Sequence, residues 1–135
     1  MFIRIHSPKA NAFNQPIGAW DTSKVTTMRS MFCDTKVFNQ PIGDWDTSKV
    51  TGDGFQGMFR MSGFNQPIGA WDTSKVNNMW GMFQLATAFN QPLHAWDLSS
   101  CTQKRYMFQN CPSMTSANMC TGCDCTCSGN YCDCS

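Results

Sequence analysis

The chain has 135 residues, 41% of them hydrophobic and 14% charged, and ten Lys+Arg against nine Asp+Glu leave a formal charge of +1. That balance argues against a basic nucleic-acid binder or an acidic solvating tail, and no apolar run approaches the roughly eighteen residues of a membrane span. Every acid is Asp. A chain without Glu but with many Asn, Ser, Thr and Gly is a poor source of helical bundles.

Residues 1–12, opened by the pair Met1-Phe2, read as the end of a coil of the repeat that follows; they are too short and too polar for a secretory leader. The block FNQPIGAWDTSKV then begins at Phe13, recurs at Phe38 with Asp44 in place of Ala, returns at Phe64 and decays to FNQPLHAWDLSSC at Phe89. The starts lie 25, 26 and 25 residues apart. Each block runs on into a Met-Phe pair: Met31-Phe32, Met58-Phe59, Met82-Phe83 and Met107-Phe108. The second copy carries a loop insertion at Thr51-Gly52-Asp53-Gly54. Self-similarity at a fixed period predicts stacked coils, because one coil cannot bury its own aromatic side chains. Four coils fill residues 13–112, and residues 113–135 form a separate Cys-rich segment.

Within a coil, Ile-x-x-Trp-x-Thr predicts a short strand with alternate side chains inward. Val25, Met28, Met31 and Phe32, spaced by three and four, predict a helical or 3-10 turn, with Asp-Thr-Ser supplying cap oxygens. The expected fold is a right-handed, leucine-rich-repeat-like solenoid with one short parallel strand and one short helical turn per coil of about 25 residues. Stacking turns sequence columns into ladders: Trp20/Trp45/Trp71/Trp96, Ile17/Ile42/Ile68/Leu93 and Val25/Val50/Val76/Cys101. The Asn14/Asn39/Asn65/Asn90 column, with the Gln after each, predicts amide ladders onto the next coil.

The pattern FNQPIGxWDTSxVxxMxxMF resembles the repeat of the BspA-like leucine-rich-repeat surface proteins, also catalogued as a mycoplasma-lipoprotein-type repeat of unknown function. The resemblance covers residues 13–112. It implies a secreted or surface-displayed protein whose role is adhesion or binding rather than catalysis. An extracellular protein or glycan would be its partner, and no cofactor or nucleic acid is implied.

Candidate binding residues lie on the outward positions. The column Asp21, Asp46, Asp72 and Asp97 would hold a ligand or calcium, or accept bonds from the adjoining turn and the neighbouring Ser. Lys24, Lys49 and Lys75 form a column beside it. Asp44 and His94 are read in a further one with Ala19 and Ala70. Together these make a mixed polar stripe on the concave face, suited to a protein or glycan. No nucleophile elbow, Gly-rich cradle or H-E-x-x-H accompanies the two His residues, so an enzyme is not expected. The Thr22/Thr47/Thr73 column falls at an inward offset; only exposed on a flat face would it point to ice binding.

Nine cysteines complete the inventory. Cys33, Cys101 and Cys111 lie in the repeats, with Cys101 at a buried apolar position. Six more, Cys120, Cys123, Cys125, Cys127, Cys132 and Cys134, crowd the tail. In an oxidising compartment they are disulfide candidates; in a reducing one they form a thiolate cluster for Zn or Cu(I). The surface resemblance implies disulfides. Three expectations therefore stand: a surface binding or adhesion module, a thiolate metal carrier, or a fragment of a longer surface protein with no activity of its own.

Overall fold

In a computed structural model the repeats stack as expected, but turns rather than helices and strands build each coil. The structure describes residues 10–121, together with the backbone of β1 (Cys125–Ser128) and β2 (Tyr131–Cys134). Residues 1–9 lie outside the described residues, so the further coil expected there is represented only by a 3-10 turn, Ala10–Ala12.

The local rule is clearest after Met28. The Met31, Cys33 and Thr35 N–H groups donate three residues back, to Met28 O, Ser30 O and Phe32 O, at 3.1, 3.2 and 3.4 Å. The amides between them do something else. Met28, Ser30, Phe32 and Asp34 donate to Gly54, Gln56, Met58 and Arg60 carbonyls of the next coil at 2.8 to 2.9 Å. The same alternation joins the second coil to the third, as in Phe59 N–H to Met82 O, and the third to the fourth, as in Phe83 N–H to Met107 O, both at 2.9 Å. Successive amides thus alternate between closing a turn and tying two coils together, and the backbone is satisfied without a continuous helix or ladder.

Such a path needs left-handed residues at fixed places. Ser30, Gly57, Gly81 and Tyr106, one per coil, take φ between 55° and 61°. Four residues on, Asp34, Met61, Leu85 and Asn110 take φ between 54° and 62°. A residue at positive φ ends any helical run, which is why the three-and-four spacing does not become a helix.

The Ile-x-x-Trp-x-Thr stretch has the predicted side-chain alternation: Trp45 and Thr47 are buried and Asp46 is exposed. Yet side chains join it to its neighbours. Thr22, Thr47 and Thr73 hydroxyls donate to the Asp46, Asp72 and Asp97 carbonyls at 3.1, 3.2 and 2.8 Å. Trp45, Trp71 and Trp96 indoles donate back to the Ile17, Ile42 and Ile68 carbonyls at 3.2, 3.2 and 3.0 Å. Parallel backbone bridging is reduced to the isolated pairs Gly52–Val76 and Asn78–Gln103. The expected right-handed, leucine-rich-repeat-like solenoid of strand plus helical turn is therefore overturned. Among the described residues the repeats contain neither an α-helix nor a strand, and the regular pieces at their margins are the 3-10 turns Ala10–Ala12 and Ser116–Asn118. β1 and β2 belong to the tail, pairing antiparallel with Cys125 opposite Cys134 and Cys127 opposite Cys132.

The core is a double aromatic column. Phe32, Phe59, Phe83 and Phe108 are fully buried, and each ring stacks on the next at 5.6 Å. Phe38, Phe64 and Phe89 run alongside at 6.0 and 6.2 Å. Cross-contacts of 4.0 to 4.2 Å join the two columns. Offset stacking of this kind adds to what burial alone contributes. The Asn column forms the expected ladder: Asn39, Asn65 and Asn90 N–H groups donate to the Oδ1 of Asn14, Asn39 and Asn65 at 3.0, 2.8 and 3.0 Å. Gln40 and Gln91 reinforce it from their Nε2.

Coils approach closely at the Gly of the FNQPIG blocks. A Cβ on Gly18 or Gly43 would meet the Pro41 or Pro67 carbonyl oxygen of the next coil at 2.6 Å. The fourth coil is followed by the Ser116–Asn118 turn instead of another FNQP block. There the requirement lapses, and His94 stands where the other coils have Gly. Leu98 likewise replaces the Thr that would have donated onward.

Candidate functional site

The repeated Asp residues are built into two-residue turns. Asp21 Oδ1 accepts from the Ser23 N–H at 3.0 Å and the Ser23 hydroxyl at 2.6 Å. Asp72 does the same with Ser74 at 3.0 and 2.6 Å. Asp46 and Asp97 accept from the Ser48 and Ser99 N–H groups at 2.9 Å. The Asp-x-Ser spacing produces this directly, since a short carboxylate reaches the amide two residues on. Donation from the Ser hydroxyl, then from its N–H, holds Asp21, Asp46 and Asp72 below the ordinary carboxylate range. At Asp97 the Ser99 N–H is the larger cause. Hydrogen bonds to the charged form outweigh repulsion from the next Asp in the column.

All four carboxylates are exposed. Their turns engage Oδ1, and among the described residues no hydrogen bond or ion pair engages Oδ2. Lys24, Lys49 and Lys75 are exposed as well, and Lys49 and Lys75 lie near enough to Asp46 to lower its pKa further. Lys75 Nζ also donates to the Ser48 carbonyl at 3.0 Å. The structure thus brings the predicted Asp and Lys columns together on one polar face. His94 is exposed but belongs to the Gly18/Gly43/Gly69 column rather than with Asp44, whose counterpart in the fourth coil is Ala95.

The Thr22, Thr47 and Thr73 side chains are buried, so this column presents no flat threonine face. Trp20 departs from its column: it is 43% exposed, against 3 to 4% for Trp45, Trp71 and Trp96. It stacks on Trp45 at 6.3 Å through one face, and with Val25, Met28 and Met31 it lines an apolar cleft at the first coil.

Cys33, Cys101 and Cys111 are buried free thiols. Burial pushes all three up, Cys111 to about 12, which removes the reactive thiolate. Cys111 Sγ donates to the Ala86 carbonyl at 3.0 Å. In the tail, Cys120 is buried and disulfide-bonded. The side chains of the other candidates, Cys123, Cys125, Cys127, Cys132 and Cys134, lie outside the described residues. Among the described residues no helix is long and apolar enough to cross a membrane.

One cluster escaped the sequence reading. Arg60, Trp80, Arg105 and Tyr106 meet on the turn-built side of the last three coils. The available signal was departure from the repeat: Trp80 and Tyr106 have no aromatic counterpart in other coils.

The sequence profile of a family described as "Mycoplasma protein of unknown function, DUF285" matches residues 3–120. The chain belongs to that family. No curated protein and no solved structure matches it. The DUF285 match spans all four coils and ends at the disulfide-bonded Cys120, so the Asp-Lys face and the cleft at Trp20 both fall inside it.

Proposed function

We propose that this DUF285 chain is a non-catalytic recognition module, displayed outside the cell, that binds a protein or glycan through its Asp-Lys face. The observation that carries the reading is the row Asp21, Asp46, Asp72 and Asp97. Each is fixed by its own Ser through Oδ1, with Oδ2 directed to no partner among the described residues. Carboxylates held in place before binding lose little freedom when a cation or hydroxyl arrives, and Lys columns beside them give the face alternating charge for register. The resemblance of the repeat to that of the BspA-like surface proteins supports the location. So does the disulfide at Cys120, since such bonds persist in oxidising compartments.

The test is a screen of the intact chain against immobilised extracellular-matrix proteins and a glycan array, repeated with Asp46→Asn/Asp72→Asn. Asn keeps the Oδ1 acceptor and the turn while removing the charge. Weakened, salt-sensitive binding is expected from a chain that still unfolds in one cooperative transition; equal binding by the double variant excludes the face. Intact masses with and without alkylation address the tail. Cysteines protected from alkylation support disulfides, and a mass increment from bound Zn or Cu would instead favour the thiolate carrier.

A further inference from the structure

Three internal boundaries show how a coil receives the one before it. The Phe of each of the first three Met-Phe pairs reaches the next Trp: Phe32 lies 6.1 Å from Trp45, Phe59 6.2 Å from Trp71 and Phe83 6.3 Å from Trp96. The same Phe donates its N–H to the Met carbonyl of the next coil, at Met58, Met82 and Met107, each at 2.9 Å. The amides two residues to either side do likewise; at the last of these boundaries Gly81 donates to Arg105 O at 3.1 Å and Leu85 to Gln109 O at 2.9 Å.

The first coil has the receiving half of this arrangement. Its Arg29, Met31 and Cys33 carbonyls stand where Arg105, Met107 and Gln109 do, yet among the described residues they accept no hydrogen bond. The Trp20 indole N–H has no acceptor among them either, and its ring, backed by Trp45, is 43% exposed. Trp20, Val25, Met28, Met31 and Trp45 line a cleft of about 260 Å³; an apolar cavity of about 150 Å³ already holds a benzene ring. Sequence register accounts for the gap. Phe precedes Trp by 13, 12 and 13 residues at the internal boundaries, but the residue 13 before Trp20 is Ser7, with Phe2 five places too early. Residues 1–9 lie outside the described residues; their sequence puts no aromatic residue in register with Trp20.

We infer that this cleft binds a phenylalanine-bearing segment of another protein. The Phe ring lies against Trp20, its N–H meets the Met31 carbonyl, and the amides two residues to either side meet Arg29 and Cys33. Main-chain bonds of this kind supply affinity, and a pocket for one side chain supplies specificity. A Gly two residues before the Phe, as at Gly57 and Gly81 with φ of 59°, suits the left-handed turn required there. A free aromatic compound would fill the cleft but leave the row of carbonyls without donors. A second copy of the chain is a poor occupant, because its own Phe32, Phe59, Phe83 and Phe108 are fully buried. The site uses no carboxylate of the Asp-Lys face and stands whether or not that face binds.

NMR titration of the nitrogen-labelled full chain with the acetylated peptide Gly-Met-Phe-Gln-Leu, the sequence of residues 81–85, tests this. The Trp20 indole and the Phe32 amide, which is bonded directly to the Met31 carbonyl, should shift and saturate together while the Trp71 indole stays in place. The same peptide with Ser for Phe should bind at least about tenfold more weakly. Trp20→Ala and Val25→Gln, read from the Phe32 amide, should weaken binding by as much while each chain still unfolds in one cooperative transition. Leu85→Gly, two coils away, should bind as the parent does. No saturable shift, equal affinity for the Ser peptide, unchanged affinity in both cleft variants, or self-association that perturbs Trp20 without any peptide would each overturn the assignment.

Discussion

Thr22, Thr47 and Thr73 each carry one hydroxyl across a coil boundary, and each is buried with a carbonyl as its only acceptor. Replacing Thr73 by Val keeps the shape and leaves the Asp97 carbonyl without that donor. The expected cost is about 1 kcal/mol, read from urea unfolding. Trp71→Phe removes both an indole bond to Ile42 and ring area, and should cost about 2 kcal/mol. Trp20→Phe, at an exposed ring, should stay within about 0.5 kcal/mol. Equal losses at the two tryptophans would contradict the ladder. The Asp turns set an acid limit. Their folded pKa values lie below the ordinary 3.8, so their contribution is present above that value and is lost as pH falls through the folded one. The urea midpoint should therefore hold from neutral pH to about pH 5 and decline below about pH 4, with a shallower decline in Asp46→Asn/Asp72→Asn. Native alkylation should spare Cys33, Cys101 and Cys111, all buried with raised pKa values; rapid modification of Cys111 before unfolding would contradict its burial.

At the scale of the turn, hydrophobic spacing told which side chains face inward but not where the amides go. Val25, Met28, Met31 and Phe32 recur as a helix would have them. A train of three-residue turns bonded alternately to the next coil yields the same spacing, and the sequence cannot separate the two. The decisive signal was faint: Gly57 and Gly81 mark one left-handed column, but Ser30 and Tyr106 share it, and the second column holds Asp34, Met61, Leu85 and Asn110. Ile-x-x-Trp-x-Thr misled differently. Its alternation was real, but Thr and Trp side chains took over the bonding that a strand leaves to its backbone. Leu85, 38% exposed at φ +61°, gives a direct test. Leu85→Gly should stabilise the chain by about 1 kcal/mol, measured as a raised unfolding midpoint, if the turn geometry is as described. Destabilisation would mean that Leu85 contributes packing beyond its backbone strain.

For the whole molecule, the columns and the coil count were open to a reader of the sequence, because Phe, Trp, Ile and Asn return at the same offsets. The Asp turns were open too, through the Asp-x-Ser spacing. His94 was not, since its column is defined by the absent side chains of Gly18, Gly43 and Gly69, which matter only once the next coil's Pro carbonyl is seen to press there. The Arg-aromatic row stayed hidden because its members come from three coils and from different offsets.

That Pro contact has a consequence for how the molecule counts. The Thr, Trp and Asn bonds recur at each internal boundary, so these columns do not tell the second coil from the third. The fourth coil differs at two of these columns: His94 puts an exposed side chain where the other coils have Gly, and Leu98 offers no hydroxyl to pass on. These two act as punctuation in an otherwise endless sentence. With Gly and Thr restored at those positions, the fourth coil would read as an internal one.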